Sequence, residues 1–197
     1  MRFSLFNTRI YISFLFLAVI SIFLMVDKTG LFLPMVIAAA IHEMGHLLFM
    51  WIFGCQPKEI NLVPGSVQIV SSYCSTNSKN NLIYLSGPLF NLMVFVTLYI
   101  NYLFFFDNSF LNFAFVNLLL GVFNLLPVKG LDGGNVLYNA LFIKCGIKKA
   151  DSVMNVITIT VAVVLIFVAV TLSLYGKTNI SAYILSVYLI LSVILKF

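Results

Sequence analysis

Charge is what this sequence has least of. Only 9% of its 197 residues are charged while 62% are hydrophobic, and the mean hydropathy is +1.10. Soluble domains carry about 25% charged residues. The composition therefore excludes an ordinary soluble domain and points to an integral membrane protein short enough to form one compact unit. The 11 Lys and Arg residues are scattered and form no basic stripe, so no nucleic-acid partner is expected. Cysteine is scarce too. Cys55, Cys74 and Cys145 are odd in number, far apart and without a CxxC pair. They indicate neither a disulfide framework nor a cysteine zinc site, and three free thiols are expected. A cleavage signal is also missing. Arg2 and Arg9 precede an apolar run that continues to Val26 and ends in DKTG, without a small-x-small site, so an uncleaved membrane helix is expected. The chain shows no internal repeat and no low-complexity tract, and no soluble domain is expected at either end.

What is there is hydrocarbon. Apolar segments of spanning length fall at about 10–26, 31–53, 82–106, 110–126, 152–174 and 180–196, against the ~20 residues that a bilayer requires. The expected fold class is an all-α polytopic membrane protein of about six transmembrane helices, with one short β-hairpin on the cytoplasmic side. The whole chain, 1–197, reads as a single membrane-embedded domain: an extra N-terminal helix (1–30), a core (31–143) and two C-terminal helices (144–197). With the N-terminus inside, Arg2, Arg9, Lys58, Lys79, Lys129, Lys144, Lys148, Lys149 and Lys196 are cytoplasmic, and only Lys28 and Lys177 are outside. Short loops with that bias place both termini in the cytoplasm. Between the second and third segments, KEINLV-PG-SVQIVSSY alternates in part about Pro64-Gly65, which reads as two strands and a turn spanning 59–73. A plain connection and a substrate-handling role are both open for it.

Against this background the run AAAIHEMGHLLF, residues 38–49, is anomalous. The chain has two histidines, and both are here, four apart, with Glu43 between them. Residues i and i+4 share a helix face, so one metal ion can take both imidazoles. Glu43 is placed to accept a proton from water. This is the HExxH pattern of zinc hydrolases. Random placement of these three residues gives the pattern on the order of once in ten thousand chains, against the motif's own false-positive risk. A polar contact between helices is the bland alternative, but ionisable groups within a membrane mark function by default. Gly45 leaves room for another helix or a substrate to come close.

A zinc site needs a third protein ligand. With no histidine left, it must come from Asp27, Glu59, Asp107, Asp132 or Asp151. Asp132 stands out in FNLLPVKGLDGGNVLYNAL, where Pro127 ends or kinks a helix and Gly130, Gly133 and Gly134 let the backbone turn back into the bundle. On local chemistry Asp132 serves equally as a ligand or as the cap of a helix beginning near Asn135. The need for a third ligand favours the former.

HEMGH on an apolar helix, then LSGPLFNL at 85–92, then NLLPVKGLDGG, resembles the intramembrane site-2 zinc metalloproteases in order and rough spacing. The run FGCQPKEINLVPG is similar to the branch that processes sporulation sigma factors. The resemblance covers about residues 35–140. It implies that His42, His46 and Asp132 bind Zn2+, that Glu43 activates water, and that Asn124 hydrogen-bonds the scissile carbonyl. It leaves Asn91 as a supporting residue of unassigned role. It further implies regulated proteolysis of transmembrane or membrane-associated substrates, such as a pro-sigma or anti-sigma factor, in a bacterial inner membrane under a membrane-protein regulator. Two departures from the family stand out. Gly65-Ser66-Val67 replaces the usual Phe-Gly-Gly, and no CBS or PDZ domain is expected from these 197 residues. A non-catalytic zinc-binding protein that holds client helices, or a metal transporter, are the competing expectations.

Overall fold

The structure is a computed structural model that describes residues 2–5, 8–55, 57–63, 66–71, 76–175, 186, 187, 189, 190 and 193. Its elements are β1 (Arg2–Leu5), β2 (Thr8–Ile12), α1 (Phe14–Val26), α2 (Phe32–Ile52), β3 (Pro57–Val63), β4 (Ser66–Ser71), α3 (Asn77–Phe105), α4 (Asn108–Asn124) and α5 (Asp132–Leu174). Two compact units emerge, residues 1–124 and 125–197.

The first unit departs from the all-α expectation. It holds a four-stranded sheet in the order β1-β2-β3-β4. The expected hairpin is there: β3 and β4 run antiparallel, with Val63 opposite Ser66. Its turn, Pro64-Gly65, lies outside the described residues. β2 adds to it in parallel, with Ile10 beside Ile60 and Ile12 beside Leu62, and β1 folds back on β2. The apolar run from residue 10 is thus not one helix. Thr8, Ile10, Tyr11 and Ile12 have the branched and aromatic side chains that suit a strand. Extended backbone at Ser13, with φ −68° and ψ 136°, separates that strand from α1. The amide of Ser13 also donates to the Leu62 carbonyl at 3.0 Å, carrying the pairing one residue further.

Of the expected spans, α2 and α3, with 21 and 29 residues, are long and apolar enough to cross a membrane, as is the 43-residue α5. α1 and α4 are shorter apolar helices. α5 breaks at Gly146, whose φ of 76° and ψ of 170° are not helical, so the expected segment 152–174 is its second part. The expected segment 180–196 falls largely outside the described residues; residues 186, 187, 189, 190 and 193 are helical. Together the apolar helices describe an integral membrane protein. The thiol expectation fails at one position: Cys55 is disulfide-bonded, whereas Cys145 is a free thiol.

Helix ends are tied down by acidic side chains. The Asp27 carboxylate accepts from the amide and hydroxyl of Thr29, at 2.8 and 2.6 Å, and from the amide of Phe32 at the start of α2, at 2.9 Å. The Thr29 hydroxyl and these amides hold its pKa below the usual carboxylate value. Asp107 does the same for α4 through the Ser109 amide at 2.8 Å. The left-handed Phe106, φ 55°, ends α3 just before it.

α2, α3 and α4 pack on one another through small residues. A Cβ on Gly45 of α2 would stand 2.8 Å from the Ser86 carbonyl oxygen and 3.1 Å from the Gly87 Cα, both on α3. A Cβ on Gly121 of α4 would meet the Pro88 carbonyl oxygen at 3.1 Å. Backbones approach this closely only where side chains are missing. In the second unit, Val128, Ala162 and Leu189 form the buried cluster. The turn before α5 is fixed by the Lys129 amide, which donates to the Thr158 hydroxyl at 3.1 Å.

Replacing Gly45 with Ala overpacks the α2–α3 seam against backbone atoms, which cannot step aside. A loss of roughly 1–3 kcal/mol is expected, read as a lower melting temperature of the protein in detergent. Met44→Ala, at an exposed position, serves as the control. An unchanged melting temperature for Gly45→Ala would show that the seam can open.

Candidate metal centre

α2 carries two working faces. His42 and His46 are buried on the face that meets α3. Glu43, a helical step of about 100° away, is on another.

The histidine face is built from hydrogen bonds that leave little freedom. The His46 Nδ1 lies 2.7 Å from the Ile83 carbonyl oxygen. A carbonyl only accepts, so this nitrogen carries the proton. The His42 Nδ1 lies 2.7 Å from Asn91 Oδ1. The Asn91 amide is itself oriented, because its Nδ2 donates to the Ala38 carbonyl and to Asn117 Oδ1, both at 3.0 Å. Its oxygen must therefore face His42, and His42 Nδ1 is again the donor. Both rings then present an Nε2 lone pair inward, and the two Nε2 atoms stand 3.2 Å apart. The rings are nearly perpendicular, at 86°. Two lone pairs at that distance repel each other unless a cation stands with them. The tautomers and the spacing suit a metal ion, whose histidine ligands usually donate their other N–H to a carbonyl or similar acceptor.

Gly87 lets α3 reach this pair. A Cβ there would lie 2.5 Å from His46 Nε2 and 2.9 Å from His42 Cε1. No side chain larger than hydrogen fits without displacing both imidazoles.

The other face of α2 opens on a cavity of about 680 Å3 between α1, α2 and the sheet. Phe16, Phe23, Val36, Met44, Leu62 and Ile69 are among its apolar walls, and Glu43 is the one ionisable side chain among its lining residues.

The five carboxylates open as third ligand separate on their surroundings. Asp27 and Asp107 are engaged in helix starts, as described above. Glu59 pairs with Arg9 at 3.3 Å across β2 and β3. Asp151 is hydrogen-bonded by Tyr138 within α5. Asp132 lies in the first turn of α5, in the second unit, with its Oδ2 buried. α5 starts there, three residues before the expected position, and its N-cap is Leu131, so Asp132 is not the cap. Gly133 and Gly134 make the turn before α5 possible: a Cβ on either would fall on the carbonyls of Leu125 and Val128. Asn124 is the last residue of α4, and one N–H of its amide donates to the Leu120 carbonyl at 3.0 Å. The first unit thus brings His42, His46 and Asn91 together. Asn117, buried behind Asn91, was not singled out from the sequence; an Asn amid an apolar helical run was its only signal there.

Known proteins match this chain in sequence and in fold. Residues 105–168 match the model of Peptidase family M50. A zinc metalloprotease of Methanocaldococcus jannaschii is 29% identical over 129 residues, 62% of this chain and 38% of that protein. The chain thus spans well under half of that relative's length. The solved structure of a site-2 protease from the same organism superposes with a TM-score of 0.70 at 25% identity, over 98% of this chain and 93% of that one. The helices and the paired imidazoles define a membrane protein with a histidine centre inside its helical seam. The chain is thus similar to the site-2 proteases in fold and to the Peptidase family M50 model over residues 105–168.

Gly87→Ala should push both imidazoles off their carbonyl and amide acceptors. Zinc or cobalt binding, measured by competition with a chelator, is expected to weaken by about 10–100-fold, as when partners of metal ligands are lost. Binding at wild-type strength would separate Gly87 from the centre.

Proposed function

We propose that this chain is an intramembrane zinc metalloprotease that hydrolyses peptide bonds in or near transmembrane segments of membrane-tethered proteins. The observation that carries this reading is the imidazole pair. Two Zn–N bonds of about 2.0–2.1 Å in tetrahedral geometry put the nitrogens about 3.3 Å apart, and the two Nε2 atoms stand at 3.2 Å. His42, His46 and Asp132 are the proposed ligands. Each offers one ligand atom of a type zinc accepts, two imidazole nitrogens and a carboxylate oxygen,. The M. jannaschii relative is named a zinc metalloprotease, which supports zinc as the metal.

Zinc held there would supply Lewis acidity, polarising a peptide carbonyl and making a water acidic near neutral pH. The chain's own groups do the rest. Glu43 takes the proton from the attacking water and returns it to the leaving nitrogen. Asn124, through its amide, donates a hydrogen bond to the oxygen that gains charge. The cavity beside Glu43 has apolar walls that suit a substrate already in the bilayer, and its one carboxylate faces the chain to be cut. A helical substrate must unwind locally before its peptide group is accessible, and an edge of the sheet offers a partner for the unwound strand. The bias of Lys and Arg supports cytoplasmic termini in a multi-pass protein of about six spans. A pro-sigma or anti-sigma factor is one substrate class that fits this reading.

Glu43→Gln should keep its zinc and lose at least about a hundredfold in cleavage of a reconstituted membrane substrate, in line with the loss of a general base. Wild-type cleavage by that variant would overturn the proposed mechanism. Asp132→Ala should lower zinc occupancy after chelator challenge. Full occupancy would remove Asp132 from the ligand set.

A further inference from the structure

We infer that Asn117 is a positioning residue for the metal centre, acting on His42 through Asn91. The inference rests on His42 being a ligand, but not on the chain being a protease. Three helices contribute. The Asn117 Nδ2 donates to the Phe113 carbonyl on its own helix α4, at 2.9 Å, which fixes the orientation of its amide. Its Oδ1 then faces α3 and accepts from Asn91 Nδ2 at 3.0 Å. The same Nδ2 donates its other hydrogen to the Ala38 carbonyl on α2. With both hydrogens used, Asn91 can present only its oxygen to His42, at 2.7 Å. The relay therefore selects one of two imidazole tautomers, the one that keeps Nε2 as a lone-pair donor. Both asparagines are fully buried, with none of their surface exposed. In so apolar a setting a flipped amide would set donor against donor and leave a buried group unsatisfied, which is strongly disfavoured. Asn117 touches neither the other imidazole nor Glu43 in this chain of bonds. His46 is held separately, by the Ile83 carbonyl, and so provides an internal control.

The chain has only two histidines, so selective 15N labelling of histidine gives two resolvable rings. In the metal-free wild-type protein in detergent, both rings should report a single tautomer with the proton on Nδ1. In Asn117→Val, His42 should become a mixture of tautomers while His46 keeps its signal, and zinc affinity should fall by about 10–100-fold. Asn117→Asp should restore both. A protonated carboxyl has the shape of the amide and the same pattern of one acceptor and one donor. The wild-type protein gives a reading that no folding defect can obscure: zinc should shift the side-chain amide signals of Asn91 and Asn117 and leave that of Asn101 in place, since Asn101 only bonds its own helix. The inference falls if Asn117→Val keeps one His42 tautomer and wild-type affinity, if both rings change alike, or if the Asn117 signal ignores zinc. Loss of cleavage with the tautomers intact would count against the protease mechanism instead.

Discussion

The close approach of α2 to α3 is the constraint on which the site depends. It is set by what is missing at two positions. Gly45 brings the α3 backbone against α2, and Gly87 brings α3 against the imidazoles of α2. Inside a bilayer no hydrophobic driving force draws helices together, because lipid tails are as apolar as the side chains. Close packing and hydrogen bonds across the seam must do so. The seam supplies both at one level: small residues for contact, and the acceptors Ile83 O and Asn91 Oδ1 for the two imidazole N–H groups. The contact that joins the helices is therefore also the contact that orients the two imidazoles. Gly121 extends the arrangement to α4 and lets Asn117 reach Asn91.

A low dielectric makes this polar cluster decisive. An amide or imidazole that could flip freely in water is confined here to the orientation in which every donor meets an acceptor. The order of fixation runs inward from the backbone. Phe113 O orients Asn117, Asn117 and Ala38 O orient Asn91, and Asn91 orients His42. Carbonyl groups cannot change their chemistry, so the direction of every bond in the series follows from them. This is how a membrane interior, a poor place for a polar group, becomes a good one for a preorganised centre.

Much of this was legible in the sequence. HEMGH placed both imidazoles on one face because i and i+4 coincide on any helix, whatever packs on it. Gly45 was read as a point of close approach, and α3 fills that place. The hairpin was legible from Pro64-Gly65 and its alternating flanks. The strand at Thr8–Ile12 was not, because the apolar run passes into α1 without a polar break, and hydropathy cannot tell a strand from a helix there. The parallel pairing of β2 with β3 joins residues about fifty positions apart, which no local pattern announces. The bonded state of Cys55 escaped for the same reason. Asn117 looked like one more polar residue in an apolar helix; its meaning depends on Asn91 and Ala38, on two other helices.

The separation of faces on α2 has a further consequence. On the proposed function, the polar centre must stay ordered while an apolar chain is admitted. If one face served both needs, substrate would compete with the hydrogen bonds that hold the imidazoles. Here the histidines bond to α3, and Glu43 stands on a different face, at the wall of a cavity of about 680 Å3 bounded by α1 and the sheet. The tightly packed α2–α3 seam can then stay closed while the α1 side borders the cavity that the proposed function assigns to substrate. α1 has no buried side chain, whereas the seam buries Ala38, His42, Gly45 and His46. Motion that costs little packing is therefore available on the cavity side and not on the histidine side. Glu43, one residue from His42, lies where the two requirements meet.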